Sequence, residues 1–409
     1  MTFNIKQVQL KDLLLEPIRN GLTKPKAIRG RGVPMIAMGE IFANNRIFSF
    51  PMERVPVTDK ELSSSSIYEG DLLFARQSLV LEGAGKCCIV KEVNEPTVFE
   101  SHLIRVRLDN SKALPDYIYY YFNSYQGKEN IKTIVEQVAA AGIRGRDLVN
   151  LYIPIPPITV QQQILQVLMN IDDKIAINTT INENLEQQIQ TILLDLIKSD
   201  SQKDSIENVK LGDYLYIKGR IGWKGLKKDE YLESSDYRII NGESLTKDGI
   251  DWGKAGYISA ERYDESPEIM LQIGDILLSK DGTIGKIGYI DRLDSPSTVA
   301  SGIFVIRNIK PDIISTQFIY YLLKSKLFTA FIASRTEGSV IPHLYQKDFM
   351  EFMIPLPNAA EMNQFDSLTL PLFSTIVKNL RENEFLAATR DVLLPKLMKG
   401  EIDVSEIKI

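Results

Sequence analysis

Residues 152–178 read YIPIPPITVQQQILQVLMNIDDKIAIN, and this stretch decides the fold of the chain. It begins with a proline-rich, strand-like segment at 152–157 and continues into a helical pattern at 159–198. Within that pattern, apolar residues such as Ile164 and Leu168 recur at spacings of three and four, which is the periodicity of a coiled coil. A long helix with an apolar stripe is not stable alone in water, so the chain must supply a second apolar surface to cover it.

An internal repeat supplies that surface. On either side of the helix, the two halves of the chain align at a shift of about 201 residues. Each match is weak alone, but their common order and nearly constant shift indicate two copies of one plan. The recurring segments are Gly70-Asp71-Leu72-Leu73-Phe74-Ala75-Arg76 with Gly274-Asp275-Ile276-Leu277-Leu278-Ser279-Lys280, Ile118-Tyr119-Tyr120 with Ile319-Tyr320-Tyr321, and Pro154-Ile155-Pro156 with Pro355-Leu356-Pro357.

The repeat includes the helix, since Asn178 and Asn182 recur as Asn379 and Asn383. We expect the two apolar stripes to pack on one another in antiparallel orientation. The pairs Asn178/Asn379 and Asn182/Asn383 would then lie in the middle of the seam and fix its register. The alternative is that these asparagines face solvent. Pro371 predicts a kink in the second helix or a late start, because proline removes one backbone donor.

The sequence therefore predicts an α+β fold with a pseudo-two-fold internal repeat. Two similar mixed α/β domains are separated by two long antiparallel helices packed as a coiled coil. The predicted segments are 1–157 for the first mixed domain, 158–205 for the first long helix, 206–357 for the second mixed domain, and 358–409 for the second long helix with the C-terminal tail.

The composition excludes a protein that coats nucleic acid non-specifically. The 409 residues carry a net charge of −5, and the acidity is concentrated in the two helical segments, so the mixed domains are near neutral. We expect no signal peptide, and no uncharged apolar run reaches the roughly 18 residues that a membrane span needs. Cys87 and Cys88 are adjacent, which is a poor arrangement for a disulfide. A reduced, cytoplasmic protein is the expectation.

The motifs of catalytic sites are missing or incomplete. Pro156-Pro157 is flanked by isoleucines and does not match the catalytic turn of an adenine methyltransferase. Gly83-Ala84-Gly85-Lys86-Cys87 imitates a phosphate loop but lacks the first glycine and the Ser or Thr that holds magnesium. His102 and His343 are too few for a zinc cluster or a convincing Ser-His-Asp set. Asp172-Asp173 is expected on the helix surface, solvated or facing a partner. We expect no catalytic residue, no metal site and no cofactor in this chain.

Three sets of residues carry a resemblance to a known family. They are the run Ile153-Pro154-Ile155-Pro156-Pro157 followed by Gln163, Asp172, Ile175, Asn178, Asn182, Leu185 and Glu186, the tail Leu393-Leu394-Pro395-Lys396-Leu397-Met398-Lys399-Gly400-Glu401-Ile402, and the two Gly-Asp motifs. Together they resemble the characteristic regions of the specificity (S) subunits of type I restriction–modification enzymes. The second helix departs from that pattern at Asn358-Ala359-Ala360-Glu361, which leaves its start open.

The resemblance implies that the mixed domains are target-recognition domains. Each would read one half of a bipartite site in double-stranded DNA. The helices would set the spacer between the halves and dock two methylation (M) subunits, which carry S-adenosylmethionine. Restriction (R) subunits would join them, with ATP and magnesium also expected on the partner subunits. The resemblance thus implies a non-catalytic specificity subunit.

Basic and amide side chains in loops rich in Gly and Pro are the candidates for DNA contact. Phosphate contacts supply much of the affinity, whereas base-edge contacts by Arg, Lys, Asn and Gln carry specificity. The sequence does not decide which candidates contact bases and which contact phosphates. For the first basic loop, the alternative is a run of charges that is only solvated. The candidates are Lys24, Lys26, Arg29, Arg31, Arg76, Gln77, Arg144 and Arg146 in the first domain, and Lys218, Arg220, Lys224, Lys227, Lys228, Lys280 and His343 in the second, with Trp223 as a possible stacking ring.

Loops of different chemistry stand at equivalent places in the two halves. The basic loop at 141–146 precedes the boundary strand of the first half, and 338–344 is its expected counterpart. Two readers of different half-sites need this arrangement. Three alternatives stay open: a fused methyltransferase or nuclease, a scaffold that binds only proteins, and a specificity subunit that serves a different effector.

Overall fold

The computed structural model describes residues 4–137, 141–201, 208–220, 225–246, 249–336 and 343–402. The chain forms two compact units, of which the first comprises residues 1–177 and 382–409 and the second residues 178–381. Two long helices, α6 (Ile158–Ser201) and α11 (Ala359–Met398), contribute residues to both units. Each unit therefore combines a mixed α/β part with a stretch of both helices. Across the described ranges, no helix has the length and apolar character to cross a membrane.

The first unit is built around a five-stranded sheet in the order β2-β10-β6-β8-β4. Smaller sheets have the orders β5-β3-β9 and β11-β12-β7, and β1 pairs antiparallel with β13. The strands are β1 (Lys6–Gln9), β2 (Arg19–Asn20), β3 (Val33–Ile36), β4 (Arg46–Ile47), β5 (Arg54–Val55), β6 (Leu72–Ala75), β7 (Gln77–Ser78), β8 (Cys87–Val90), β9 (Val98–Phe99), β10 (Leu103–Val106), β11 (Glu136–Gln137), β12 (Ala141–Gly142) and β13 (Tyr152–Ile155). The shorter helices are α1 (Met38–Ala43), α2 (Asp59–Ser65), α3 (Pro115–Asn123), α4 (Tyr125–Lys132) and α5 (Gly145–Leu148).

The second unit repeats this plan with a four-stranded sheet in the order β15-β23-β20-β21. Its smaller sheets are β19-β16-β22, β17-β18 and β14-β24. The strands are β14 (Asn208–Lys210), β15 (Leu215–Gly219), β16 (Tyr237–Ile240), β17 (Leu245–Thr246), β18 (Gly249–Ile250), β19 (Gly256–Ile258), β20 (Ile276–Ser279), β21 (Ile287–Tyr289), β22 (Ser297–Val299), β23 (Ile303–Asn308) and β24 (Met353–Pro355). The helices are α7 (Ala260–Asp264), α8 (Thr316–Leu323), α9 (Lys326–Thr336) and α10 (Gln346–Met350).

The main core of each unit lies between its central sheet and one aromatic helix. In the first unit, Phe122 of α3 meets Phe74 of β6 edge to face, with ring centroids 5.0 Å apart. In the second unit, Phe318 of α8 lies in one buried cluster with Ile276 and Leu278 of β20, and it also meets Phe365 of α11 edge to face at 5.5 Å. The repeated Ile-Tyr-Tyr sequence thus marks the helix that fills the core. Rings of this size bury the most apolar area per residue, which explains their place there.

The Gly-Asp motif of each unit is a buried structural element. Asp71 is 1% exposed and accepts two hydrogen bonds from Arg107, both at 2.7 Å. Asp275 is fully buried and accepts two from Arg307, at 2.6 and 2.7 Å. Each carboxylate also accepts a bond of 2.7 Å from a backbone amide three residues earlier. The glycine before each aspartate has a positive φ (87° and 94°), which lets the chain turn into the central strand.

Polar contacts join α6 to α11 inside the first unit. Asp172 of α6 accepts hydrogen bonds from Arg390 of α11 (2.8 Å), Arg46 (2.6 Å) and Tyr120 (2.5 Å). Its side chain is 13% exposed. The expectation that Asp172 is solvated or faces a partner is therefore wrong, because three donors within the unit surround the carboxylate.

The asparagines of the second unit join the helices in the same manner. Asn379 Nδ2 donates to Asn182 Oδ1 at 2.8 Å, and Asn182 Nδ2 donates to the carbonyl of Ile376 at 3.3 Å. This contact joins one asparagine from each of the two predicted pairs, Asn178/Asn379 and Asn182/Asn383. Asn178, Asn182 and Asn379 are all less than 10% exposed, which excludes the solvent-facing alternative for these three. In the first unit, Asn383 Nδ2 reaches the carbonyl of Ile175 at 3.5 Å.

The second long helix begins well before Pro371. The Asn358 side-chain oxygen accepts hydrogen bonds of 3.0 Å from the amides of Ala360 and Glu361, as a helix N-cap does. From there α11 continues through Pro371 to Met398. The late start predicted from the proline is therefore wrong, since a capping residue sets the start upstream.

Candidate nucleic-acid interface

The central sheets of the two units share one register, so their side chains can be compared position by position. In the first unit, Arg105 of β10 pairs with Arg19 of β2. In the second unit, Val305 of β23 pairs with Lys218 of β15. Arg105 and Val305 correspond because each also pairs with the second residue after the buried aspartate. Arg19 and Lys218 therefore hold equivalent places at the sheet edge.

A main-chain hydrogen bond fixes the second pair of equivalent positions. Arg76 follows β6, and its carbonyl accepts a bond from the amide of Ile143 at 2.9 Å. Lys280 follows β20, and its carbonyl accepts a bond from the amide of Leu344 at 3.0 Å. Arg76 and Lys280 thus correspond, as the sequence repeat predicts.

These two equivalent hydrogen bonds also align the residues that follow them in each unit. After Ile143 and Leu344, the next residues are Arg144 and Tyr345, which stand immediately before the short helices α5 and α10. Two residues further on, Arg146 corresponds to Lys347. The predicted counterpart of the 141–146 loop was 338–344, of which 338–342 lies outside the described residues.

Four arginines of the first unit converge on one surface cavity of about 280 Å³, which we call the arginine pocket. Three of them, Arg76 and the two arginines of the 141–146 loop, were predicted as DNA contacts from two separate parts of the sequence, and the structure brings them together. The pocket is lined by Ile18, Arg19, Asn20, Arg76, Arg144, Gly145 and Arg146.

The positive charge of the arginine pocket is only partly balanced. Arg144 forms an ion pair with Glu136, and Arg146 lies 3.6 Å from the carboxylate of Asp147. Their side chains remain 53% and 71% exposed, so both guanidinium groups can still reach a ligand. Arg19 and Arg76 form no ion pair with any residue in the described ranges. Such a cavity suits a partner with anionic groups or paired hydrogen-bond acceptors, such as phosphate or the O6 and N7 atoms of guanine.

The positions beside the pocket also differ between the units. In the first unit, Gln77 Oε1 lies 3.1 Å from His102 Nδ1. In the second unit, Asp281 occupies the place of Gln77, pairs with Lys280 Nζ at 3.2 Å and accepts a short contact from His343 Nδ1. Lys280 is only 13% exposed, and its Nζ lies 5.5 Å from the centroid of the Phe304 ring. The second unit therefore offers a mixed-charge surface where the first offers four arginines.

The first basic loop is held by ion pairs inside its own unit. Lys24 pairs with Glu61 at 2.8 Å and is 10% exposed. Hydrogen bonds from Lys24 and from the Thr58 backbone amide lower the pKa of Glu61 to about 2. Arg29 pairs with Glu53 at 2.7 Å. The exposed members of this loop are Lys26 and Arg31. The arginine pocket does not include these four residues.

The basic residues at 218–228 of the second unit do not form one exposed cluster. Lys218 is exposed on β15, and Lys227 is exposed with its backbone amide bonded to Glu230. Arg220 is 3% exposed and donates to the carbonyl of Val299 at 3.1 Å. Burial lowers the pKa of the Arg220 guanidinium, and the nearby Arg262 adds to this effect. Arg220 therefore belongs to the interior of this structure. Lys224 and Trp223 lie outside the described residues, as does the side chain of Lys228.

Sequence reasoning missed three residues of the candidate interface. Arg19 lies on a strand of only two residues, which has no readable periodicity. Tyr345 and Lys347 lie 201 residues after Arg144 and Arg146. The repeat shift, applied to those two arginines, would therefore have found both, and the main-chain bond at Leu344 gives the same alignment.

Comparison with known proteins agrees with this architecture. The family model described as type I restriction modification DNA specificity domain matches residues 4–187 and again 203–382. The MjaIX specificity subunit of a type I restriction enzyme from Methanocaldococcus jannaschii is 24% identical over 407 residues, covering 94% of this chain and 90% of the relative. The putative MjaX specificity subunit from the same organism is 24% identical over 423 residues, covering 97% and 93%.

A solved structure shares the fold of this chain. It is the S subunit of a type I restriction–modification system from M. genitalium, with a TM-score of 0.57 and 16% sequence identity, covering 97% of this chain and 96% of the other. Two copies of the family domain, arranged as two mixed α/β units with long helices, account for the repeat. The chain therefore belongs to the family of type I restriction–modification specificity subunits and carries two recognition domains.

Proposed function

We propose that this chain reads a bipartite site in double-stranded DNA, the first unit through the arginine pocket and the second through the residues at the equivalent positions. One observation carries the proposal: the same backbone frame presents Arg19, Arg76, Arg144 and Arg146 in one unit and Lys218, Lys280, Tyr345 and Lys347 in the other. A common frame with different side chains is what two readers of different half-sites require. Phosphate contacts would position each unit and base-edge contacts would specify the sequence.

The two long helices have a separate role in this proposal. They form an antiparallel coiled coil that sets the spacer between the half-sites and docks two methylation subunits. The contacts of α11 with α6 support the orientation, because Asn383 meets Ile175 while Arg390, further along α11, meets the earlier Asp172. A buried asparagine pair such as Asn182 with Asn379 is a known means of fixing helix register.

The chain is non-catalytic in this proposal. The methylation subunits would bind S-adenosylmethionine and methylate adenine, and restriction subunits would bind ATP and magnesium. The specificity subunit would contribute only the placement of those partners on DNA. Two similar units and two similar helices in one chain suit the docking of two copies of one partner.

The decisive experiment is co-expression with the neighbouring methylation subunit, followed by mapping of the methylated adenines. The proposal predicts a split site with a fixed spacer, of which one half changes when residues 1–150 are exchanged for those of a relative. Stable assembly without sequence-selective methylation would instead indicate a scaffold that binds only proteins.

Single substitutions assign the two half-sites. Arg144→Ala is expected to relax recognition of one half-site and Tyr345→Ala that of the other, because the two residues hold equivalent positions. A good bidentate base contact contributes about 1–3 kcal/mol of discrimination, so Arg144→Ala should lower selectivity by roughly 5- to 150-fold at one base pair. Lys128→Ala removes an exposed charge from α4 and is the control. Uniform weakening across all sequences would mark Arg144 as a phosphate contact.

A further inference from the structure

Three consecutive apolar side chains project from the first unit beside the arginine pocket. Leu79 is 99% exposed, Val80 59% and Leu81 39%. A single exposed leucine needs no explanation in a folded protein, but three in a row at a loop tip expose a contiguous apolar surface. We call residues 79–81 the apolar tip.

The apolar tip is held in place by its own backbone. Ser78 Oγ accepts a hydrogen bond from the amide of Val80 at 3.1 Å, and the amide of Gly83 donates to the carbonyl of Val80 at 3.2 Å. Any side chain at Gly83 would clash, since a Cβ there would lie 2.2 Å from Ser78 Oγ. Exposure of Leu79 is thus a property of an ordered turn.

Cations flank the apolar tip. Arg76 precedes it by three residues, and β7 at its base pairs with β12, which leads into Arg144. On the other side, Lys86 Nζ lies 5.6 Å from the ring centroid of Phe42, which is itself 39% exposed. A matching partner must therefore combine negative charge with an apolar interior. Double-stranded DNA does so, because its phosphates border grooves in which base edges and thymine methyl groups are exposed.

The second unit lacks the apolar tip. Its equivalent connection runs from Ser279 to Gly285, where the Gly285 amide donates to the Ser279 carbonyl at 3.1 Å. The Gly85 amide of the first unit donates to the Ala75 carbonyl in the same way, at 2.8 Å, so the two connections have matching ends. Only residues 280–284 lie between those ends, against 76–84 in the first unit, so the tip occupies an insertion. A surface for docking two copies of one methylation subunit would be present in both units. A feature restricted to one unit fits contact with one half-site.

We propose that the apolar tip enters a DNA groove at the half-site read by the first unit, with Leu79 packed against a base edge there. The inference rests on the proposed function and deepens it, because it adds an apolar specificity contact to the polar contacts of the arginine pocket. Removal of an exposed leucine side chain leaves the fold intact, so its effect is confined to binding.

The test measures DNA affinity of the complete complex with its methylation subunits, for wild type and for Leu79→Ser. The duplexes are the mapped cognate site and variants with each base pair changed in turn. Leu79→Ser is expected to weaken cognate binding roughly 10- to 150-fold, the range associated with fully burying a leucine side chain. It should also flatten discrimination at one or two adjacent positions of one half-site and leave the other half-site unchanged. Ile273→Ser, at a 69% exposed residue of the second unit, is the matched control.

Each other outcome contradicts the inference in a distinct way. Unchanged affinity and an unchanged discrimination profile would show that Leu79 does not contact DNA. Loss of assembly with the methylation subunit would identify the apolar tip as a protein-docking surface. If wild type itself showed no sequence-selective binding, the proposed function would fail, whatever the behaviour of Leu79→Ser.

Discussion

Replacing Asp275 by alanine should destabilise the second unit without changing the DNA sequence that the protein reads. The carboxylate is fully buried, accepts two charge-assisted hydrogen bonds from Arg307, and accepts a third from a backbone amide. Breaking a buried ion pair typically costs about 3–5 kcal/mol. The Arg307 side chain is 26% exposed and can recover some hydration, so we expect the lower end, about 3 kcal/mol. For a unit of this size, that corresponds to a fall of roughly 6–12 °C in Tm.

The first unit provides an internal comparison for this prediction. Asp71→Ala removes the same pair of bonds from Arg107, but Arg107 retains an ion pair with Glu16 at 2.8 Å. Asp71→Ala should therefore cost about 1.5 kcal/mol less than Asp275→Ala, the lower end of what a charge-assisted bond contributes, because Glu16 is 36% exposed. The double variant Asp275→Ala/Arg307→Ala should be less destabilised than the sum of its single variants, because no unpaired charge is left behind.

Calorimetry or chemical denaturation of the full chain measures these differences, and methylation mapping of the complex below the lowered Tm measures the recognised sequence. Unchanged stability of Asp275→Ala, together with an altered methylated site, would refute the structural role assigned to the Gly-Asp motif. Such a result would mean that the aspartate contacts DNA.

Three further predictions concern acid stability, thiol reactivity and the helix seam. The folded-state pKa of Glu61, about 2, lies below the roughly 4.3 of an unfolded glutamate. The stability that ionised Glu61 contributes is therefore complete above pH about 4.3 and is lost as the pH falls towards about 2. The difference in urea midpoint between wild type and Glu61→Gln should therefore shrink across that window, and a constant difference would contradict the assignment. Burial raises the pKa of the Cys87 and Cys88 thiols, so a thiol reagent at pH 8 should modify them only after denaturation. Mass spectrometry measures the extent of labelling, and rapid labelling of the native protein would disprove their burial. Asn182→Ala leaves the buried amide of Asn379 without its 2.8 Å acceptor and should cost about 1–3 kcal/mol. The variant with both asparagines replaced should lose less stability than the sum of the two single variants, and additive losses would argue against the pairing.

The features predicted from sequence are those with a periodic or repeated signal. The apolar spacing predicted the long helices, and the repeated Gly-Asp motif located the central strand of each unit, although only the structure showed that its aspartate binds an arginine. Arg76 was selected from one loop and Arg144 and Arg146 from another, but the convergence of these loops depends on strand pairing between distant segments. That pairing has no signature in a single sequence.

Arg220 shows why a basic residue near a strand is an ambiguous signal. Lys218 lies on the exposed side of β15, and simple alternation would place Arg220 on the same side. The strand ends at Gly219, however, and the chain then turns so that the guanidinium donates to the carbonyl of Val299. The prediction took Arg220 as part of a basic loop, and the inward turn of its guanidinium could not be read from the sequence.

The main-chain bonds at Arg76 and Lys280 have a consequence for how such proteins diversify. Both bonds use only carbonyl and amide groups, and the buried Asp–Arg pairs lie apart from the arginine pocket. The loops that present the candidate side chains are thus anchored without any help from those side chains. On the proposed function, a substitution at Arg144 or Tyr345 would change the preferred base while the anchorage and the core remain intact. New sequence preferences could then be acquired one residue at a time, with little risk of losing the folded protein.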